Sequence, residues 1–281
     1  MALSHGQLGL LAEARDHPGL AGRFGAAARG LVRHRRSTAQ RASALLGEQG
    51  DRLAAVPAAQ VRRRAGSIPC AVAMLMINAG EILPDAPGTR FGGFPLAPAG
   101  FSWPTCGSCE NPMQFVAQIE LSQAENDARL LSIFMCNHDS NYCDTASHDS
   151  GANRALVFTG TLHPVAEPED ADPDDDVVMD ARTAELVEVD GSAEQPEYEF
   201  DVEYDLARRL WWKQHPDSDI FGQLGGEPSW LQGDDVPDCP SCGQAMPLAA
   251  QLGEHGANYG TGEAYAFHCP TCDTAAFMWQ C

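Results

Sequence analysis

The chain is short of positive charge. Its 281 residues carry 18 Lys and Arg against 39 Asp and Glu, a formal net charge of −21. The shortage is uneven: residues 1–65 hold eleven arginines against Glu13, Asp16, Glu48 and Asp51, a surplus of seven, which leaves −28 on the remainder. A body this acidic repels phosphate backbones and attracts basic surfaces, so nucleic acid is not expected as its partner and a basic protein is. Long apolar runs are also missing. The longest, Ile68 to Ala79, contains Pro69 and Asn78 and falls short of the ~20 residues that span a bilayer, so no membrane association is expected. No basic start followed by an apolar run opens the chain, so a secretory signal is not expected and a cytoplasmic location is.

Several motifs are absent as well. Glycines 92 and 93 stand in no phosphate-loop spacing, which weakens a nucleotide-binding reading. The acidic stretch Glu167 to Asp180 contains Asp170-x-Asp172-x-Asp174 but lacks the glycine and the closing glutamate of a calcium loop, so a solvated surface loop is expected there. No thioredoxin-like βαβ pattern surrounds the paired cysteines, which argues against redox chemistry. A disulfide framework belongs to small secreted chains, and this chain has neither property by its pattern.

What is present is cysteine in pairs. Cys239-Pro-Ser-Cys242-Gly243 is followed, one strand-loop-strand length later, by Cys269-Pro-Thr-Cys272. Each C-x-x-C folds into a turn that aims two sulfurs at one point, and two such turns supply the tetrahedral four-thiolate sphere of structural Zn²⁺. The same pattern stands earlier in the chain, displaced by one constant offset with no gap needed. Gly225-Gly226-x-Pro228 falls on Gly92-Gly93-x-Pro95, Cys239 and Cys242 on Cys106 and Cys109, Ala250-Gln251 on Ala117-Gln118, and Phe267 and Cys269 on Phe134 and Cys136. The chain is therefore expected to be an internal duplication, repeat 1 covering about 89–143 and repeat 2 about 222–281. The position matching Cys272 is Asp139, and the next cysteine is Cys143. Two zinc ions are expected, one on Cys106, Cys109, Cys136 and Cys143, the other on Cys239, Cys242, Cys269 and Cys272, with His138 or Asp139 as alternative fourth ligands in the first. Cys70 reads as a packed small hydrophobe.

The fold expected is α+β: a mostly antiparallel, internally duplicated, zinc-ribbon-containing β body over residues 67–281, preceded by a helical segment, 1–66, rich in Ala, Leu and Arg. Strands are expected over Ser67–Asn78, Met113–Ile119, Leu130–Met135, Arg154–Gly160, Ala184–Val189, Glu197–Tyr204, Met246–Leu252, Ala264–His268 and Ala275–Gln280. A short helix over Leu206–His215 is expected to send Trp211 and Trp212 into the core.

Thr89-Arg-Phe-Gly-Gly-Phe-Pro95, Trp103-Pro104, Pro112-Met-x-Phe-Val-Ala-Gln-Ile119, Leu224-Gly-Gly-Glu-Pro-Ser-Trp230 and Phe277-Met-Trp-Gln280 together resemble the YwqG-like family of bacterial proteins of unknown function. The likeness covers roughly residues 68–281. The second copy also resembles programmed cell death protein 2, a eukaryotic protein implicated in escorting a ribosomal protein. The resemblance implies a largely β, duplicated domain and no particular reaction; many members lack the cysteines, so the zinc expectation rests on spacing in this chain. The function expected is a zinc-binding, non-catalytic protein-interaction module: an adaptor, a dedicated chaperone or a toxin-neutralising protein. One alternative is a zinc-dependent hydrolase with an open site on Cys106, Cys109 and Cys136 and His138, Asp139 or His148 as base. A second is nucleic-acid binding through the arginine-rich N-terminus.

Overall fold

The computed structural model of the chain describes residues 72–121, 129–138, 142–169, 171, 176–254 and 262–281. The expected N-terminal helices, Cys70 and Asp139 lie outside the described residues.

The apolar run predicted as a buried strand becomes β1, Val72–Glu81. It has no polar face because both faces are covered. Ala73, Leu75 and Ile77 pack under a helix on one side, while Met76 points into the main core on the other. The strands that follow are β2 (Arg90–Phe91), β3 (Leu96–Ala97), β4 (Gln114–Glu120), β5 (Arg129–Met135), β6 (Asn153–Thr159), β7 (His163–Pro164) and β8 (Arg182–Asp190). Helix α1 (Glu203–Gln214) separates these from β9 (Ile220–Leu224), β10 (Leu248–Leu252), β11 (Glu263–Cys269) and β12 (Thr274–Gln280).

Ten of these strands form one antiparallel sheet in the order β12-β11-β10-β9-β1-β8-β2-β4-β5-β6, and β3 pairs separately with β7. The order reads alike from either end, with the long β1–β8 pair, Val72 opposite Asp190 through Asn78 opposite Ala184, at its centre. β1 precedes the first set of cysteines in sequence yet pairs with β9 of the second half, and β8 precedes the second set yet pairs with β2 of the first. Each half thus lends its leading strand to the other. The sheet curls until its edges β6 and β12 meet, a near-closed barrel in which Trp279 N donates to Thr145 O at 3.0 Å and Arg129 pairs with Asp273 at 3.1 Å. Curling hides strand edges that would otherwise recruit other chains. Phe91, Val116, Ile119, Leu131, Ile133, Phe221, Leu252, Phe277 and Trp279 fill the interior, each large side chain contributing about 1.5–3 kcal/mol by leaving water.

Two details explain why the glycine-proline corners recur. Gly92 has φ +67°, and a Cβ on it would stand 2.5 Å from Asp180 O, so only glycine lets the backbone pass so close. Its N–H donates to Val116 O at 2.9 Å, as that of Gly225, its counterpart in the second copy, does to Ala249 O at 2.8 Å. The corner carbonyl is pinned in both copies by the side chain at the same position. Arg90 donates to Phe94 O, and Gln223 donates to Glu227 O at 3.0 Å. Arg90 is wholly buried, with further bonds to Ala86 O and Gly92 O, and desolvation lowers its pKa to about 10.

Two expectations are corrected. Glu197–Tyr204 is not a strand but a run of turns leading into α1. Asp201 Oδ2 accepts from Glu197 N at 2.7 Å and Tyr198 N at 3.2 Å, and Asp205 Oδ2 accepts from Val202 N at 3.1 Å. Acidic side chains thus take the donors a strand ladder would have used. Trp212 does not enter the core. Trp211 packs against the cluster under α1 and donates to Ser218 Oγ at 2.9 Å, while Trp212, one residue and about 100° further round the helix, is 41% exposed.

Candidate metal centres

Each knuckle is a hairpin tip stapled by its own backbone. In the first, Thr105 and Pro112 form an isolated bridge, Cys106 N donates to Asn111 O at 2.9 Å, and Glu110 N donates back to Cys106 O at 2.9 Å. In the second, Asp238 and Ala245 form the bridge, Cys239 N donates to Gln244 O at 2.8 Å, and Gly243 N donates to Cys239 O at 2.8 Å. Both turns need a left-handed residue, which the second supplies with Gly243 at φ +67° and the first with Glu110 at φ +63°.

The other half of each quartet comes from the end of the neighbouring strand. In the second copy β11 ends on Cys269, and a tight turn through Asp273 (φ +50°) delivers Cys272 before β12 starts. In the first copy residues 136–152 intervene between β5 and β6. Their described part is a folded loop. Asp144 accepts from Ala146 N and Ser147 N, Asn153 Nδ2 donates to Thr145 O at 2.8 Å, and Gly107 N donates to Gly151 O at 2.9 Å. The last of these bonds ties the loop to the first knuckle, which brings Cys143 back over Cys106, Cys109 and Cys136.

The sulfurs of Cys106, Cys109, Cys136 and Cys143 all lie within 4.8 Å of one another, as do those of Cys239, Cys242, Cys269 and Cys272. Cys109 Sγ stands 3.6 Å from Cys136 Sγ, and Cys242 Sγ 3.8 Å from Cys269 Sγ. A tetrahedron with metal–sulfur bonds of about 2.3 Å has sulfur–sulfur edges of about 3.8 Å, whereas a disulfide needs about 2.05 Å. The spacing fits a four-coordinate metal rather than a bridge. The two groups could therefore hold two metal ions.

The electrostatics point the same way. Hydrogen bonds from the N–H groups of Cys242 and Ser241 lower the Cys239 thiol to about 6. At Cys106 burial opposes ionisation, but the N–H groups of Cys109 and Ser108, together with hydrogen bonds from the Cys136 and Cys143 thiols, outweigh it and bring the thiol to about 7. Burial pushes Cys136 up to about 11 and Cys143 higher still, and the neighbouring Cys242 thiol pushes Cys272 up to about 12. Four thiols at one point thus resist full ionisation alone, and a divalent cation at their centre reverses this. The first quartet is the better shielded: Cys106, Cys136 and Cys143 are buried, and Trp103, Phe115 and Phe134 pack around it. In the second, Cys242 is exposed and Cys272 half-buried.

Of the alternative ligands, His138 is exposed and its backbone N–H donates to the Cys136 sulfur. One cluster escaped the sequence reading altogether. Asp205 and Arg208 of α1, Ser229 and Glu263 meet beside β10 and β11, with Arg208 bonded to both carboxylates at 3.2 Å. Ser229 lies in the noted Gly-Gly-Glu-Pro-Ser-Trp run, but nothing local announces its distant partners.

Among the described residues, the fold and these groups together define a class: a mostly antiparallel β body with a near-closed sheet and two tetracysteine groups that could hold metal. Within that class, the chain belongs to the DUF1963 family, whose model, described as a domain of unknown function, matches residues 89–279. The chain is also similar to the uncharacterized protein YpfL of Salmonella typhimurium (strain LT2), being 44% identical over 63 residues. That match covers 21% of this chain and 15% of the relative. Among the described residues no helix is long and apolar enough to cross a membrane.

Proposed function

We propose that the chain is a zinc-stabilised, non-catalytic protein-interaction module, an adaptor, dedicated chaperone or toxin-neutralising protein, that takes a basic client. The observation that carries this is the completeness of each sulfur quartet. A sphere filled by four thiolates has no open position for water or substrate, which is the arrangement of structural rather than catalytic zinc. The palindromic strand order and the bonds repeated at equivalent positions of the two copies support reading the body as a duplication. The likeness of its Gly-Gly-x-Pro and Trp elements to YwqG-like proteins and to programmed cell death protein 2 belongs to the same reading, as analogy. The excess acidity of the body supplies the steering toward a basic client.

Two measurements test this. The cobalt-substituted protein should absorb as two four-sulfur centres; a three-sulfur spectrum at the first site would revive the hydrolase. Affinity purification of the metal-loaded protein at low salt should recover a reproducible basic partner that dissociates as salt rises. Recovery of none would overturn the reading.

A further inference from the structure

The helix side of the second half carries a cavity of about 330 Å³, walled by Tyr204, Arg208 and Trp212 of α1, by Leu231, and by Glu254 and Glu263 beside β10 and β11. Among the described residues, the one basic side chain that lines it is already engaged. Arg208 Nη1 meets Glu263 Oε1 and its Nη2 meets Asp205 Oδ1, each at 3.2 Å. Its guanidinium carbon lies 5.0 Å from the centre of the Tyr204 ring and 5.8 Å from that of Trp212. Asp205 also accepts from Ser229 Oγ at 2.8 and 2.9 Å, and Glu263 Oε2 accepts from Gln251 Nε2 at 3.1 Å. Arg208 therefore offsets one of the three carboxylates of Asp205, Glu254 and Glu263. Two negative charges remain on a body that is itself acidic. An anion would be repelled in spite of Arg208, and a cation drawn in.

The cluster is not needed to build the repeat. At the positions equivalent to Ser229 and Glu263 the first copy has Leu96 and Leu130, and its strands pair in the same way. A half-buried ion network contributes little net stability, because desolvation cancels much of the attraction. One built into a single copy, at the wall of a cavity, points to a ligand. The lining also shows which cation fits. A guanidinium already lies against two aromatic faces with carboxylates at its edge, and Trp212 and Leu231, 41% and 51% exposed, leave aromatic and apolar surface for a second.

The geometry points to this cavity as the seat of an arginine side chain from a basic protein partner, held between Trp212, Glu254 and Glu263. This rests on the interaction-module reading and names where its client is gripped.

The test is calorimetric titration of the metal-loaded full chain at low salt with a capped hexa-arginine peptide, its citrulline counterpart and its glutamate counterpart. Glu254→Gln and Trp212→Ala, both at exposed positions outside the cysteine quartets, are compared after their melting temperatures and metal content are matched to the parent. The arginine peptide should bind at least about tenfold more tightly than the citrulline peptide, and the double variant should lose about tenfold in affinity. Equal binding to parent and double variant would overturn the pocket while leaving the interaction module standing, since the acidic body at large would then be the attractant. Preference for the glutamate peptide, or no binding of any peptide, would also overturn the pocket. The module itself is tested separately, by the cobalt spectrum and by the affinity purification.

Discussion

Asp201, in the turns that lead into α1, gathers three donors on one oxygen. It accepts from Glu197 N, Tyr198 N and Arg209 Nη2, the last at 2.7 Å, and its side chain is 4% exposed. Burial opposes its ionisation, but Arg209 and the two N–H groups outweigh burial and hold it below the usual carboxylate range. A carboxylate whose pKa is lower folded than unfolded stabilises the fold above its unfolded value of about 3.9, and that contribution is lost as pH falls through the folded value. Asp201→Asn should therefore cost about 1–3 kcal/mol at about pH 7, and the gap to the parent should be narrower at an acidic pH below about 3.9. Urea melts at both pH values check it; a gap independent of pH would mean that packing, not charge, is what Asp201 supplies.

At the scale of the element, two features bend the rules of a regular sheet. β9 carries a bulge opposite β1 at Gly222, whose φ is +150° and where a Cβ would stand 1.9 Å from Gln251 O of β10. Gly222→Ala should push β9 and β10 apart and cost more than about 3 kcal/mol, measured as a lower urea midpoint. The second feature is the loop that returns Cys143. Its sulfur completes the first quartet, so Cys143→Ser should leave one ion bound tightly in the second quartet and weaken the first, with the sheet retained by circular dichroism. Two ions held as tightly as in the parent would show that another group takes the fourth place.

For the whole molecule, the two halves differ in how well their quartets are covered. Native mass spectrometry near neutral pH should find two metal ions, and acidification should release both, because each ligand must be a thiolate to bind. A chelator added at neutral pH should remove the ion of Cys239, Cys242, Cys269 and Cys272 first, since Cys242 is exposed whereas three sulfurs of the other quartet are buried. Release in the reverse order, followed by peptide mapping of alkylated thiols, would show that burial does not govern access.

The sequence by itself determined what is local or periodic. C-x-x-C spacing defines its own turn, the Gly-Gly-x-Pro corners demand left-handed backbone, and apolar runs such as 130–135 read as strands because a single chain segment carries the whole pattern. The return of these signals at one constant offset marked both sets of cysteines. The tertiary structure alone decided what depends on partners far along the chain. It paired β1 with β9 and β8 with β2 across the halves, folded residues 142–152 so that Cys143 reached its quartet, turned Glu197–Tyr204 away from a strand, and assembled Asp205, Arg208, Ser229 and Glu263 into a cluster of which Arg208 and Glu263 line a cavity. Strand order and side-chain convergence are set by packing between segments, and that information is spread over residues with no fixed spacing between them.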